Sequence, residues 1–131
     1  MKALRFHAPG DVRLEDVPEP TCGPEEVKIK VKNCSTCGTD VKIRNNGHVN
    51  ITRVTTMGHE IAGEVVEVGA DALGGFAVGD RVQVIAAVPC GDCHECKKGW
   101  LEVCANQTSV GYQYGGGFAE YMIVPKEVLK V

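Results

Sequence analysis

The sequence predicts an all-β fold, a partly open β-barrel with one short helix and a zinc-binding lobe. Three observations lead there. Apolar and polar residues alternate with period two in several short runs, the mark of strands with one wet face. Sixteen glycines and six prolines punctuate the chain, and no long window carries an apolar stripe of helical period. Four of the seven cysteines fall between positions 90 and 104, a bunching that suits one metal ion better than a disulfide framework.

The elements follow in order. Lys2 to Arg5 and Val12 to Val17 read as a hairpin joined through Ala8-Pro9-Gly10-Asp11. Val27-Lys28-Ile29-Lys30-Val31-Lys32 alternates apolar with basic, so its lysines should face water. Gly38 to Asn45 is the one segment that looks helical, and it is barely two turns. Ile61 to Val68 is valine-rich and holds Gly63, as a bent strand would. Arg81 to Ile85 and Phe118 to Val124 repeat the alternation, the second opened by Gly115-Gly116-Gly117. Glu127 to Val131 reads as the start of a further element, which suggests a piece of a longer chain.

With 131 residues the chain has room for one domain with a real core. Its net charge is -3 and its lysines and arginines are scattered, so no nucleic acid and no membrane surface is expected as partner. No stretch has the length of a membrane span, and Met1 to Phe6 lacks the features of a signal peptide. A cytoplasmic, reducing setting is the expectation.

The spacing Cys90-x2-Cys93-x2-Cys96-x7-Cys104 offers four soft thiolates that wrap one tetrahedral ion. Iron–sulfur ligation is the rival chemistry. A bacterial ferredoxin run brings its fourth cysteine almost at once and follows it with proline, unlike this one. A closed four-thiolate site leaves no open position, so its ion stiffens the lobe and does no chemistry. The lobe, residues 89–104, has few core residues of its own and should fold only around metal.

Cys37, His59 and Glu60 form a second constellation. A thiolate at Cys37 would sit at the start of the helical turn, where free backbone N–H groups favour it. Two such ligands and a carboxylate suit a catalytic zinc with room for water or substrate. Taken alone, such a pair is more often a core cysteine and a hydrogen-bonded histidine than two metal ligands, and Glu60 fits a supporting carboxylate or a buried counter-charge. Cys34 reads as a small core residue, and Cys22 lies in a Pro-Thr-Cys-Gly-Pro turn with nothing reactive nearby. His7 and His48 have no ligand-spaced partner, and no glycine fingerprint for a dinucleotide opens a helix.

Taken together, the motifs carry a family resemblance. From Lys2 to Val131 the chain resembles the N-terminal part of the zinc-dependent medium-chain alcohol and polyol dehydrogenases. Cys37-Gly38-Thr39-Asp40 is similar to the segment with the first catalytic-zinc ligand and the relay hydroxyl, and Gly58-His59-Glu60-x2-Gly63-x5-Gly69 to the zinc signature. Gly79-Asp80-Arg81-Val82, the four lobe cysteines and Gly117-Phe118-Ala119-Glu120-Tyr121 match further segments. The resemblance implies a GroES-like catalytic domain over residues 1–131, with the Rossmann nucleotide-binding domain absent. It implies zinc ligation by Cys37 and His59, with Glu60 shielding zinc or joining it, and structural zinc at Cys90, Cys93, Cys96 and Cys104. Thr39 would take a proton from a secondary alcohol or polyol while hydride passes to NAD or NADP on the missing domain. The isolated chain would then be inactive, and a homo-oligomer is allowed. Lys42 stands where many members place a relay histidine. The competing expectation is a non-enzymatic zinc-stabilised barrel that binds a partner protein, in which Cys37 and His59 would stay more than about 6 Å apart, too far for one zinc.

Overall fold

A computed structural model describes residues 1–130. Alternation in Val27–Ser35 (β3) makes it the organising strand, with Val27 and Ile29 turned into the core. It pairs antiparallel on one side with Glu60–Val68 (β5) and on the other with Tyr121–Val124 (β9). Arg81–Val84 (β6) adds outside β5, giving a four-stranded sheet of order β6-β5-β3-β9. The register shifts twice: between Val31 and Asn33, opposite Gly63 and Ala62, the extra residue is Lys32 of β3, and between Lys28 and Ile29 it is Val66 of β5, so the bulge in β5 falls three residues beyond Gly63. The apolar sides of these strands, chiefly Val27, Ile29, Ile61, Val65, Val84, Met122 and Val124, make the main core.

The N-terminal hairpin forms where expected. Lys2–Ala8 (β1) and Asp11–Asp16 (β2) pair antiparallel around Pro9 and Gly10, and Thr55–Thr56 (β4) completes a sheet of order β2-β1-β4. Gly38–Asn46 (α1) is the expected helix, one residue longer. Phe6, Ile43 and Met57 form a second, smaller core that clamps α1 between the hairpin and the residues before β5.

The open arrangement agrees with the partly open architecture expected, and two features differ from expectation. The strands stop short of a closed barrel: they form separate ladders, joined among the described residues by the isolated bridge Ala3–Ala119 and by hydrogen bonds such as Leu4 N–H to Phe118 O, 2.8 Å. The break falls at Gly115 to Glu120, which bonds first to Thr56, Met57 and Gly58, then to β1 and last to β3, so the last strand shrinks to Tyr121–Val124. Lys28, expected to face water, is only 8% exposed, because Tyr121 of the neighbouring strand covers it and Glu19 pairs with its ammonium. The lobe also holds a helical turn that period-counting missed, His94–Lys97 (α2).

Ala87–Val88 (β7) and Thr108–Ser109 (β8) pair at the neck of that lobe, and a 3-10 turn at Leu101–Val103 completes it. The segment expected to begin a further element is a 3-10 turn at Val128–Lys130, and Val131 lies outside the described residues. Among the described residues no helix is long and apolar enough to cross a membrane.

Candidate metal centres

The four lobe sulfurs converge. Ligand atoms of Cys90, Cys93, Cys96 and Cys104 all lie within 4.8 Å of one another, and the Cys93 and Cys104 sulfurs are 3.9 Å apart. Local backbone does the gathering. The Cys93 N–H points at the Cys90 sulfur, 3.4 Å, and the Cys90 N–H at the Cys104 sulfur, 3.3 Å. Cys93 caps α2, which carries Cys96 inward.

Their chemistry is divided. Backbone N–H groups of Asp92 and then Cys93 pull the Cys90 thiol down to about 6, so it ionises readily. Burial, then the neighbouring Cys93, pushes Cys96 up to about 12. A buried thiol held so high gives up its proton only to a cation that replaces it. The donor set is soft, complete and closed, and it fits a tetrahedral zinc.

The second group assembles from distant segments. Cys37 is the N-cap of α1: its sulfur accepts the Thr39 N–H at 3.3 Å, and Asp40 Oδ2 accepts the Cys37 N–H at 2.9 Å, a reciprocal capping box. His59 enters from just before β5, and its Nε2 stands 3.1 Å from the Cys37 sulfur. Zinc bonds of about 2.3 Å to sulfur and 2.0–2.1 Å to nitrogen bring two such atoms well within reach of one ion. On the other side of the ring, Nδ1 lies 3.5 Å from Asp40 Oδ1, with the two side chains 13% and 8% exposed. Asp40 Oδ1 is buried without a hydrogen bond. That orphan oxygen fits a carboxylate that receives Nδ1–H and leaves Nε2 as the ligating lone pair.

Asp40 is the residue the sequence reading passed over. Its signal was present in the Cys-x-x-Asp spacing of a capping box, but a cap gives no hint of a histidine 19 positions on. Thr39 is half-buried in the first turn of α1. Glu60 opens β5 with its side chain exposed, in a surface cleft with Asn33, Ser35 and His59, and stands outside the cluster of Cys37, Asp40 and His59. Lys42 is exposed on α1. Cys34 packs beside Gly58, and burial pushes its thiol up to about 11. The Cys22 thiol donates to the carbonyls of Gly23 and Glu26 within its own turn.

Two glycines set the position of His59. Gly58 adopts φ +90° with the Cys34 sulfur and the Phe118 ring pressed against it. Gly111, at φ +83°, brings a second turn against the Gly58 carbonyl. That turn carries Tyr112, whose ring centroid is 6.3 Å from that of His59 and 4.7 Å from that of His48. Burial raises the Tyr112 phenol, and the charges of Asp40 and Cys37 add to the rise. Neither Tyr112 nor His48 had a ligand-like spacing to mark it.

Comparison with known proteins accords with this arrangement. Residues 23–131 match the alcohol dehydrogenase GroES-like domain. The chain is 40% identical over 129 residues to L-threonine 3-dehydrogenase of Serratia proteamaculans (strain 568), covering 95% of this chain and 38% of that protein. Sorbitol dehydrogenase of Halalkalibacterium halodurans is 40% identical over 132 residues, covering 98% of this chain and 38% of its own. Among solved structures, a candidate zinc-binding dehydrogenase from Sinorhizobium meliloti 1021 bound to NADP matches with a TM-score of 0.88 and 34% identity, covering 97% of this chain and 36% of that one. The chain thus spans 38% of the length of these curated relatives. By its four-cysteine lobe, its Cys37–His59 pair and the match over residues 23–131, this chain belongs to the alcohol dehydrogenase GroES-like domain family.

Proposed function

We propose that this chain is the zinc-binding catalytic domain of an NAD(P)-dependent dehydrogenase that oxidises a secondary alcohol or polyol. One observation carries the reading: Cys37 sulfur and His59 Nε2 meet at 3.1 Å, with a buried carboxylate 3.5 Å behind the ring. The rival, a barrel that only binds a partner protein, gives no reason for that convergence.

Zinc held there supplies Lewis acidity at a bound hydroxyl oxygen, and a nicotinamide supplies the hydride acceptor. The rest is the work of this chain. Cys37 binds as thiolate, favoured by the Thr39 N–H and by the start of α1. His59 binds through Nε2, while Asp40 keeps its proton on Nδ1. Thr39, two residues beyond the ligand, takes the hydroxyl proton of the substrate on its own oxygen and passes it outward. Lys42, exposed on the same helix, holds the water chain or ribose into which that proton leaves. Glu60 sets a negative charge beside His59 and tempers the charge of the centre. Cys90, Cys93, Cys96 and Cys104 hold a second zinc that stiffens the lobe. Such thiolate sites persist in a reducing, cytoplasmic setting.

The relatives support the substrate class, since one acts on sorbitol and another on L-threonine, as their names state. The test is turnover by zinc-loaded protein in which a dinucleotide-binding domain follows this chain, with NAD and NADP, over sorbitol, 2,3-butanediol and L-threonine. Zinc-dependent oxidation that Cys37→Ser and His59→Ala abolish is the expected result. Undiminished turnover in either variant would overturn the assignment.

A further inference from the structure

The lobe and the open centre share a short stretch of chain. Residues 89–107 leave the fold and return through a narrow neck, in which Val88 pairs with Thr108 and Ala87 with Ser109. Thr108 Oγ1 donates to the Val88 carbonyl at 3.4 Å, and the Val110 N–H to Ala86 O at 2.9 Å. The next residue, Gly111, packs on the residue before His59: a Cβ there would stand 3.0 Å from the Gly58 carbonyl oxygen. The same carbonyl accepts the Gly117 N–H at 3.0 Å, while Gly116 and Phe118 donate to Thr56 and Met57, each at 2.9 Å. The backbone leading into His59 is thus held by residues 110–118, which begin where the neck ends.

The neck is the weak joint. So short a ladder is marginal by itself, and here it also has to close the loop of residues 89–107. Four gathered thiolates change that cost. The Cys90 N–H reaches the Cys104 sulfur at 3.3 Å, so an ion in the cluster ties the loop just beyond Val88 and just before Thr108. About a third of the loop then stays free, and the logarithmic dependence of closure entropy on length favours the closed neck roughly 5-fold. Val88 and Val110 are buried in the main core, which gives a closed neck one seat.

We propose that the neck couples the two centres: closing the four thiolates seats Gly111 on Gly58, and metal binding by Cys37 and His59 tightens about 3- to 5-fold. The neck, open or closed, is the element that both centres bias. The coupling is reciprocal, so metal at the open centre tightens the lobe by the same factor. The inference rests on the Cys37–His59 centre proposed above, and it gives the lobe a part in that site beyond stiffening its own loop.

Two measurements test it, the first with no metal at the open centre. In Cys37→Ser, one equivalent of zinc fills the lobe alone, and amide exchange at Gly111 and Gly117 is followed by NMR. Exchange about 3- to 5-fold slower with the lobe filled is expected. The second measurement titrates the open centre with cobalt(II), read by the thiolate band that Cys37 adds. It compares the chain whose lobe holds zinc with one carrying Cys90→Ser, Cys93→Ser, Cys96→Ser and Cys104→Ser, where a midpoint about 3- to 5-fold higher is expected. A two-glycine insertion after Asn106, exposed on the lobe's return, keeps the ion but loosens its hold on the neck, and should weaken the centre equally. Unchanged exchange, or equal midpoints in all three chains, overturns the coupling. A Cys37-dependent cobalt band missing from all three overturns the centre itself, whatever the exchange shows, so the failures are distinct.

Discussion

The Cys37 sulfur stands 3.1 Å from Nε2 of His59, across 22 residues of chain. Neither residue is placed by its own neighbours alone. Cys37 is held by the cap of α1, and α1 by the small core of Phe6, Ile43 and Met57. His59 is held by Gly58, which sits against the Cys34 sulfur and the Phe118 ring. Packing on both sides fixes this pair of donors before any ion arrives, although two fixed donors alone do not complete a coordination shell.

Asp40 should matter to metal affinity more than its capping role suggests. Asp40→Ala is expected to weaken the open site by about 10- to 100-fold, since a carboxylate behind a ligating histidine typically has that effect. Asp40→Asn should recover the cap and little of the affinity. Competitive titration with a chromogenic zinc chelator checks this, with the four-cysteine site as internal reference. Equal affinity in wild type and Asp40→Ala would show that His59 needs no help from Asp40.

Ligand arithmetic separates the two centres. Exhaustive dialysis should leave one zinc per chain, in the lobe, because four converging thiolates form a complete shell, whereas the open group offers Cys37 and His59 with Asp40 behind. Two ions retained per chain on elemental analysis would show that the open group coordinates far better than this count allows. Removing the lobe ion, or replacing Cys96 by alanine, should release backbone protection in residues 90–104 and leave β3 and β5 protected, as hydrogen exchange reads directly. The reason is that β7 and β8 pair only at the neck.

Gly58→Ala is expected to destabilise the fold by about 2–4 kcal/mol, a left-handed backbone plus overpacking. The added Cβ would stand 2.7 Å from the Cys34 sulfur and 2.8 Å from Phe118 Cγ. Relief of that clash displaces His59, so metal affinity at the open site should fall with stability. Urea unfolding alongside zinc titration tests the coupling, and a variant that loses stability while keeping affinity would break it.

Cys34 provides a pH signature. In the unfolded chain its thiol ionises near 9.0, whereas burial holds the folded thiol up to about 11. Between those values the unfolded state sheds a proton that the folded state keeps, so this group's contribution to stability falls as pH rises through that window and is fully present below it. Zinc-loaded protein should show slow alkylation of Cys34 at pH 8, quantified by mass spectrometry, with a steep onset toward pH 11. Cys34→Ala should flatten the loss of stability above pH 9. Rapid alkylation at pH 8 would mean that the thiol is far less buried than its place beside Gly58 implies.

What the sequence determined by itself is local. The four lobe cysteines lie in one short run, so their spacing alone specifies a closed thiolate shell, and short turns suffice to bring the sulfurs together. Period-two alternation likewise marks β3, β5 and β6, because side-chain direction in a strand is a property of the strand itself. Tertiary structure decided what depends on two segments at once. It buried Lys28 under Tyr121, a residue 93 positions away, against the alternation that pointed it to water. It kept the sheets open where Gly115 to Glu120 switches partners between β1 and β3. It set Asp40 behind His59 and brought Tyr112 to both His48 and His59, contacts that no spacing encodes. These arise because long-range packing, not local propensity, chooses which loops meet, and the open centre is built where they do.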